Sequence, residues 1–420
     1  MSENAHQVDI LIVGGGLVGA SLACALLPYA RSTGLSIAVV EQVALPSEQS
    51  QPWQPSYDAR GTALSFGTRL IYEDMGLWQQ LSEHASPIEH IHVSDQGHYG
   101  TTRLHAEEEG VPALGYVVEN HWVGRVLHGA LSNEEAIEWL CPATVTGIVM
   151  QADGAAVTID QQGGKKTLKA SLVVMADGGR SALATELGLD YLEMPYHQSA
   201  LVSTITPSHH HNQVAYERFT EEGPLALLPL ENGADGKPRM ALVWTTPEEE
   251  LEARMEWVED DFLAAVQDAF GYRLGRFEKM GERYAYPLAL KQAREQIRSR
   301  LVVLGNAAHS LHPIAGQGYN LALRSVAMLA QLLQEAHQQG RDVGHLDTLQ
   351  RFLEMRQQDQ LLTIGFSDKV MKLFSQPRWP ARLARDTGLV ALNLFAPARH
   401  RLARAAMGLD APRARFRFLF

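Results

Sequence analysis

Six residues, Val8–Val13 (VDILIV), run directly into Gly14-Gly15-Gly16-Leu17-Val18-Gly19. So short a run, apolar but for Asp9 and closed by glycine, predicts a buried strand. The glycines at 14, 16 and 19 keep the G-x-G-x-x-G spacing, and each answers a separate demand. Gly14 permits a tight turn, Gly16 lets a pyrophosphate approach bare backbone, and Gly19 lets helix pack closely on strand. A helix is predicted over Leu17–Leu27, its unpaired first N–H groups aimed at the diphosphate. A second strand, Ser36–Val40, ends at Glu41, 22 residues beyond Gly19. A carboxylate there can accept both hydroxyls of an adenosine ribose and would repel a 2′-phosphate. Three glycines alone say little. Strand, triad, helix, strand and acid in this order predict a site for an ADP-containing dinucleotide.

The same stretch sets a trap. Ile10 to Ala30 contains no charged residue, and an uncharged run of that length ordinarily suggests a membrane span. Four glycines and Pro28 interrupt it, and Met1–Gln7 has no Lys or Arg to open a signal peptide. No span is expected. At 420 residues, 45% apolar and 20% charged, the chain has room for one large domain or two interwoven ones. Its net charge of −12 argues against nucleic acid as a partner. Cys24 and Cys141 form neither a metal spacing nor a disulfide framework, Cys24 reading as a small core residue. A reducing, cytoplasmic setting is the expectation.

A second glycine-rich stretch, Gly305–Asn320 (GNAAHSLHPIAGQGYN), follows the apolar run Leu301–Leu304. After it, Ala322, Val326, Leu329 and Leu333 fall on one helical face. Pro313 and the trio Gly316, Gln317 and Gly318 suit a tight turn that presents backbone N–H groups at a helix start. A flavin ring, negatively charged at its N1/O2 edge when reduced, would suit that seat. An ordinary strand–loop–helix connection would look the same. His309 and His312 beside it read as neutral imidazoles filling the turn.

Other positions admit two readings. Arg60, shortly after the dinucleotide unit, is either a surface arginine or a diphosphate or nicotinamide contact. Asp177 closes a third buried strand, Leu172–Ala176, where ligands meet a doubly wound sheet, and equally suits a cap for a helix near Ser181. Ile88–Arg103 alternates like strands that pair with later ones. Tyr191–Pro287 reads as an antiparallel sheet inserted between the strands at 172 and 301, with one helix over Pro247–Phe270. His209-His210-His211 reads as an exposed loop, since three consecutive histidines cannot all face one ion from a strand. From Lys372 on, arginine and aromatic residues interleave, with only Asp386 and Asp410 opposing them. Such a tail suits an anionic membrane surface, a solvated helical end or a subunit contact.

Three separated motifs agree: GGGLVG with Glu41, MADGGRS at Met175–Ser181, and GNAAHSLHPIAGQGYN. With them go HVSDQGHYG (His92–Gly100), LGYVVEN (Leu114–Asn120), YERFTEEGPLALLPL (Tyr216–Leu230) and AYPLAL (Ala285–Leu290). Essentially end to end, the chain resembles the FAD-dependent aromatic hydroxylases of the para-hydroxybenzoate hydroxylase fold, most closely their ubiquinone-biosynthesis branch. The resemblance implies an α/β protein. A Rossmann-like FAD-binding domain (1–80, 104–185 and 288–345) would carry an inserted antiparallel-sheet substrate domain (81–103 and 186–287). A C-terminal helical region would follow (346–420).

It implies FAD held by Gly14, Gly16, Gly19 and Glu41 on the ADP half. Arg60 would meet the diphosphate and Asn120 the ribityl-flavin region, with Asp177 near the second motif. Asn306, Gly316, Gln317, Gly318 and Asn320 would hold the ring side. Where most of the family has Asp, this chain has Asn306, and Ser325 is a second such departure. Pro313, Gly316 and Gln317 would position oxygen and flavin, and Arg218, Phe219 and Pro229 would wall the substrate site. The implied reaction uses NAD(P)H as transient reductant and O2 as co-substrate to hydroxylate a polyprenylated phenol. The setting would be the cytoplasm at the inner face of the cell membrane, with other ubiquinone-biosynthesis proteins as partners. A flavin reductase of a prenyl lipid and a non-catalytic flavoprotein subunit are the competing readings.

Overall fold

The computed structural model describes residues 6–44, 60–179, 181–311, 316–374, 379–411 and 414. Its first layer is a sheet built on the strand His6–Val13, paired in parallel with Ile37–Val40 on one side and Gly164–Met175 on the other. Ile137–Leu140 and Leu301–Val303 extend it in parallel. Alternation between two buried faces explains why Ile10–Val13 is apolar throughout. Ile10 and Ile12 enter a core with three helices, Leu17–Thr33, Asn120–Leu131 and Gln317–Gln338. Val8, Leu11 and Val13 enter a second core, beneath the antiparallel strands Thr144–Gln151 and Gly154–Gln161. Both faces are dry from Ile10 on, and Asp9, the one charge in VDILIV, has its carboxylate accepting the Ser36 N–H and hydroxyl, each at 2.8 Å.

The helix after the triad is longer than its sequence suggests. It runs through Pro28 to Thr33 and ends at Gly34, whose φ of 76° lets its N–H close on the Ala30 carbonyl. Pro28 removes one ladder donor, and buried Tyr29 and Ala30 hold the next turn in place.

The insertion between Met175 and Leu301 supplies six strands of a nine-stranded sheet. Its order is His309–Ser310, Tyr284–Ala293, Tyr191–Pro207, Arg239–Pro247, Gly223–Leu230, Val214–Thr220, His90–Asp95 and Thr101–His105, with Phe277–Met280 alongside Tyr191–Pro207. The sheet is mixed rather than wholly antiparallel, because His90–Asp95 arrives from the first domain and pairs in parallel with Val214–Thr220. Within the 81–103 interval, Ala85–Ile88 goes elsewhere and pairs with Gly115–Glu119, which also pairs with Gly61–Ser65. The single helix expected over Pro247–Phe270 is two, Glu248–Glu256 and Glu259–Phe270, broken at Trp257 and Val258, whose backbones are extended. Each piece has its own acidic first turn, so the abundant carboxylates serve two dipoles.

One face of this sheet is sealed by those helices around Leu225, Leu227, Leu242, Trp244 and Phe262. The opposite face meets the first domain through Val117, Leu230 and Ala241. Beside that contact, Arg239 Nη2 donates to Glu119 Oε1 at 2.8 Å, with both side chains buried. The pair ties a strand of the large sheet to the strand leading into the Asn120 helix.

The C-terminal helices Leu346–Phe374, Trp379–Leu394 and Ala396–Ala406 fold back over both layers. This corrects the view of the tail as arginines opposed only by Asp386 and Asp410. Arg385 pairs with buried Asp95 at 3.0 Å, Arg399 with Glu108 and His400 with Glu109. Arg413, Arg415 and Arg417 lie outside the described residues. Among the described residues, no helix is long and apolar enough to cross a membrane.

Removing one partner of a buried ion pair strands the other charge, typically at a cost of about 3–5 kcal/mol. Arg239→Ala is therefore expected to lower unfolding stability by about that amount, seen as a lower denaturant midpoint in chemical unfolding.

Candidate functional site

Two helices begin side by side on glycine, and neither start is capped by a side chain. The Leu17–Thr33 helix begins after extended Gly16, and the Gln317–Gln338 helix after Gly316, at φ 60°. Neither has an acid in its first turn. Each start therefore presents unpaired N–H donors and the positive end of a helix dipole.

The triad glycines differ in what they leave room for. A Cβ on Gly19 would lie 1.9 Å from the Gly14 carbonyl oxygen, so helix and turn touch backbone to backbone. Gly14 itself, at φ 99°, would collide with the Ala176 carbonyl at 2.7 Å. A Cβ on Gly16 would meet nothing within 4 Å. Gly16 is thus kept free for something outside the chain. Glu41 lies beside the turn, its Oε2 accepting the Gly15 N–H at 2.6 Å and its Oε1 the Val43 N–H at 2.8 Å. Each carboxylate oxygen retains acceptor capacity for a hydroxyl. His128, which nothing in its sequence context singled out, donates from Nε2 to the Gly15 carbonyl at 2.9 Å.

The other two motifs meet the first. Gly305, at φ 62°, packs on Val18, where a Cβ would approach to 3.0 Å. Gly179 lies against the Asn306 carbonyl and Ala307. Asn306 is exposed. Asp177 accepts the Gly179 N–H at 3.0 Å and the Ser181 hydroxyl, so its carboxylate closes its own turn.

Gly316 packs on Ala63, where a Cβ would come to 2.9 Å, and Gly318 is open. Asn320 explains the rigidity of this start. Its Oδ1 accepts the Ser65 N–H at 2.8 Å and the Thr68 hydroxyl at 2.7 Å. Its Nδ2 donates to the carbonyls of Ala63 and Gly316. With its amide fully used inside the protein, Asn320 shapes the seat instead of offering its side chain to a ligand, as had been expected. Gln317 is buried and donates to the Ala406 carbonyl at 3.3 Å. Pro313 and His312 lie outside the described residues.

Arg60 donates to the Tyr286 hydroxyl at 2.7 Å and lies over that ring, which ties it to the large sheet. Asn120 starts its helix with its N–H on the Arg60 carbonyl at 2.8 Å and its Oδ1 accepting from Thr62. The suggested substrate walls divide. Phe219 packs with Val93 and Leu389 on the face turned toward the first domain. Arg218 points the other way, its Nε donating to the Ala269 carbonyl at 2.9 Å. Pro229 shares the parity of Leu225 and Leu227, which face the sealed helical core. Strand alternation therefore removes Arg218 and Pro229 from the face that looks at the glycine turns.

His309 is buried with neither ring nitrogen partnered, and burial pushes it down to about 4, so it is neutral near pH 7. His211 is also buried rather than in an exposed loop, hydrogen-bonded to the Leu230 carbonyl and pushed down to about 4. Among the described residues, no cluster of His, Cys, Asp and Glu could hold a metal.

Two uncapped helix starts with open glycines fit an anionic dinucleotide at Gly16 and an electron-rich ring edge at Gly316–Gly318. A doubly wound sheet bearing such a turn, roofed by a second sheet, defines the class of flavin-dependent oxidoreductases. More particularly, the chain belongs to the family described as FAD binding domain, whose profile matches residues 7–357. Ubiquinone hydroxylase UbiL of Rhodospirillum rubrum is 34% identical over 401 residues, covering 95% of this chain and 89% of the relative. Mitochondrial ubiquinone biosynthesis monooxygenase COQ6 of Danio rerio is 27% identical over 449 residues, covering 96% and 90%. The crystal structure of p-nitrophenol 4-monooxygenase PnpA from Pseudomonas putida DLL-E4 shares the fold, with a TM-score of 0.75 at 16% identity over 97% of this chain and 100% of that one. These relatives place the chain in the ubiquinone-biosynthesis branch of the FAD-dependent aromatic hydroxylases, as its motifs implied.

Gly16→Val should leave the fold and its thermal midpoint intact, because space is free there, and should weaken FAD retention at least tenfold. The flavin-to-protein absorbance ratio after gel filtration checks this. Gly19→Ala should fail earlier, giving protein without a cooperative melt by circular dichroism.

Proposed function

We propose that this enzyme hydroxylates the aromatic ring of a polyprenylated phenol during ubiquinone biosynthesis, with 2-polyprenyl-6-methoxyphenol as substrate, the reaction of a 2-octaprenyl-6-methoxyphenol hydroxylase. The observation that carries this reading is the half-exposed, largely apolar strip on the sheet face opposite the glycine turns. Val202, Ala226, Leu228 and Val243 lie on it, with Tyr284 and Tyr286 at its side. An electron-rich ring with a hydrocarbon tail matches such a strip, and the names of the relatives support the pathway.

Bound at the glycine turns, FAD supplies the electron exchange with NAD(P)H and O2 that side chains cannot perform. The protein's part is to orient and to exclude. The N–H groups after Gly16 would hold the diphosphate and those of Gly316–Gly318 the ring edge. The roof sheet keeps bulk water from the ring and so favours product over released peroxide. Overall, a ring C–H, O2, NAD(P)H and a proton become a ring C–OH, NAD(P)+ and water.

Long-tailed substrate resides in a membrane, and the C-terminal region offers a surface for peripheral contact. Leu394 and Phe395, directly before the Ala396–Ala406 helix and its arginines, are more than half exposed there, as are Leu361 and Leu362 on the Leu346–Phe374 helix. Apolar insertion with basic flanks is how a peripheral segment holds an anionic bilayer. Replacing Leu394 and Phe395 together by Glu is expected to reduce co-sedimentation with vesicles containing phosphatidylglycerol several-fold. Unchanged co-sedimentation would remove this contact from the account.

The reaction itself is tested with purified, FAD-loaded protein and prenylated 2-methoxyphenol. Consumption of O2 and NAD(P)H in equal amounts, with a product heavier by one oxygen, is the expected result. Turnover without O2 would point instead to a reductase.

A further inference from the structure

On the roof strand Val214–Thr220, Tyr216 faces the sealed helical core and Arg218 bonds into the helix Glu259–Phe270. Glu217, between them, therefore faces the first domain with Ala215 and Phe219. Its register neighbours are Ala226 and Val93. Both ends of that face are covered. Leu230 and Ala241 pack under Gly61 and Val117, and Phe219 and Val93 under Leu389. Between the covers Glu217 sits deep in the molecule and still keeps accessible surface. Its side chain therefore faces the space left between the two covers.

Nothing in the described protein answers this carboxyl. It has no hydrogen bond or ion pair, unlike the other charges on the same face: Asp95 is held by Arg385 from the C-terminal helices, and Arg239 by Glu119. Its neighbours on Gly223–Leu230, Arg239–Pro247 and Tyr191–Pro207 that share the face are otherwise uncharged, Ala226, Leu228, Val243 and Val202 among them. Burial alone pushes its carboxyl up to about 7. A lone acid in an apolar wall costs stability and contributes no packing that Leu or Met would not supply.

It is also in the right place. Gly316 touches Ala63, and Gly61 of the same strand touches Leu230. From Leu230 to Ala226, the partner of Glu217, is four residues, or about 13 Å along the strand. A ring lying between the clamp turn and Glu217 fits that span.

We propose that Glu217 accepts the phenol hydroxyl proton of the substrate, an assignment that rests on the aromatic-hydroxylase reading above. The Glu217 carboxylate takes the O–H proton, and the O–H electron pair stays on oxygen and enriches the ring carbon that bonds to the incoming oxygen atom. When that carbon loses its hydrogen as a proton, aromaticity returns and Glu217 gives its proton back to the phenolate oxygen. No electrons pass through the residue. The carboxylate form is needed, so hydroxylation rises with pH through an inflection near 7.

Glu217→Gln keeps the shape and removes the base. With a farnesylated 2-methoxyphenol as probe, product turnover is expected to fall about 100-fold and the inflection near pH 7 to vanish. Ultraviolet difference spectra provide a readout without turnover: at pH 8 the phenol band of the bound probe should shift to the red in wild type, where its O–H donates to the carboxylate, and not in the variant. Folding gives a third. The native state holds the Glu217 proton more tightly than the unfolded chain, so wild type loses stability as pH rises from about 4.5 to 7. The variant should match its melting temperature at pH 5 and exceed it at pH 8. A variant with wild-type turnover and the same inflection would overturn the assignment. So would an identical phenol band shift in both proteins, a comparison that holds even if wild type binds the probe and hydroxylates nothing.

Discussion

Two helix starts with unanswered N–H donors, held a fixed distance apart, are what the rest of this structure serves. An uncapped start costs stability unless something satisfies it. Here the chain places two of them on neighbouring helices and withholds every acid from their first turns. The backbone contact between Gly19 and Gly14 fixes the first start to the central strand, and the Asn320 hydrogen bonds with the Ser65 N–H and the Ala63 carbonyl fix the second to Gly61–Ser65. Those restraints set where a dinucleotide can lie. The roof sheet then only has to close the space above it.

How much of this could be read from the chain depends on distance along it. The triad, its two strands and Glu41 span fewer than forty residues, and each step follows from local spacing. The inserted sheet was legible from the change of pattern after Tyr191. What was hidden came from pairings with no local signal. Arg385 finds Asp95 across 290 residues, whereas the pairing of His90–Asp95 with a later strand was legible from its alternation. An arginine-rich tail looks unopposed until those carboxylates are placed beside it. Glu217 was overlooked because alternation assigns its neighbours to two faces but does not say which face looks toward the first domain. Arg218, more conspicuous as a bare residue type, turned out to face the closed side.

Buried charge marks the seams of the molecule. Glu119–Arg239 joins roof to base, and Arg324 and Arg356 share Asp359 where the clamp helix meets the Leu346–Phe374 helix. Pairs of this kind add little net stability over apolar packing, but a misaligned partner leaves a stranded charge. They therefore penalise any arrangement in which the layers slide. Ser325 accepts from Arg356 Nε at 3.1 Å, so Asp359 carries the negative charge of that seam.

The last helix ends on the ring seat. Ala406 accepts from Gln317, the first residue of the clamp helix, and the Met407 carbonyl accepts from Gly67 at 2.8 Å. The helices from Leu346 on are thus a strap whose buckle is the Gly316–Gly318 turn. Any tether, tag or trimming near residue 406 tugs on the cofactor's cradle, and a lipid bilayer gripping those helices would pull on the same buckle.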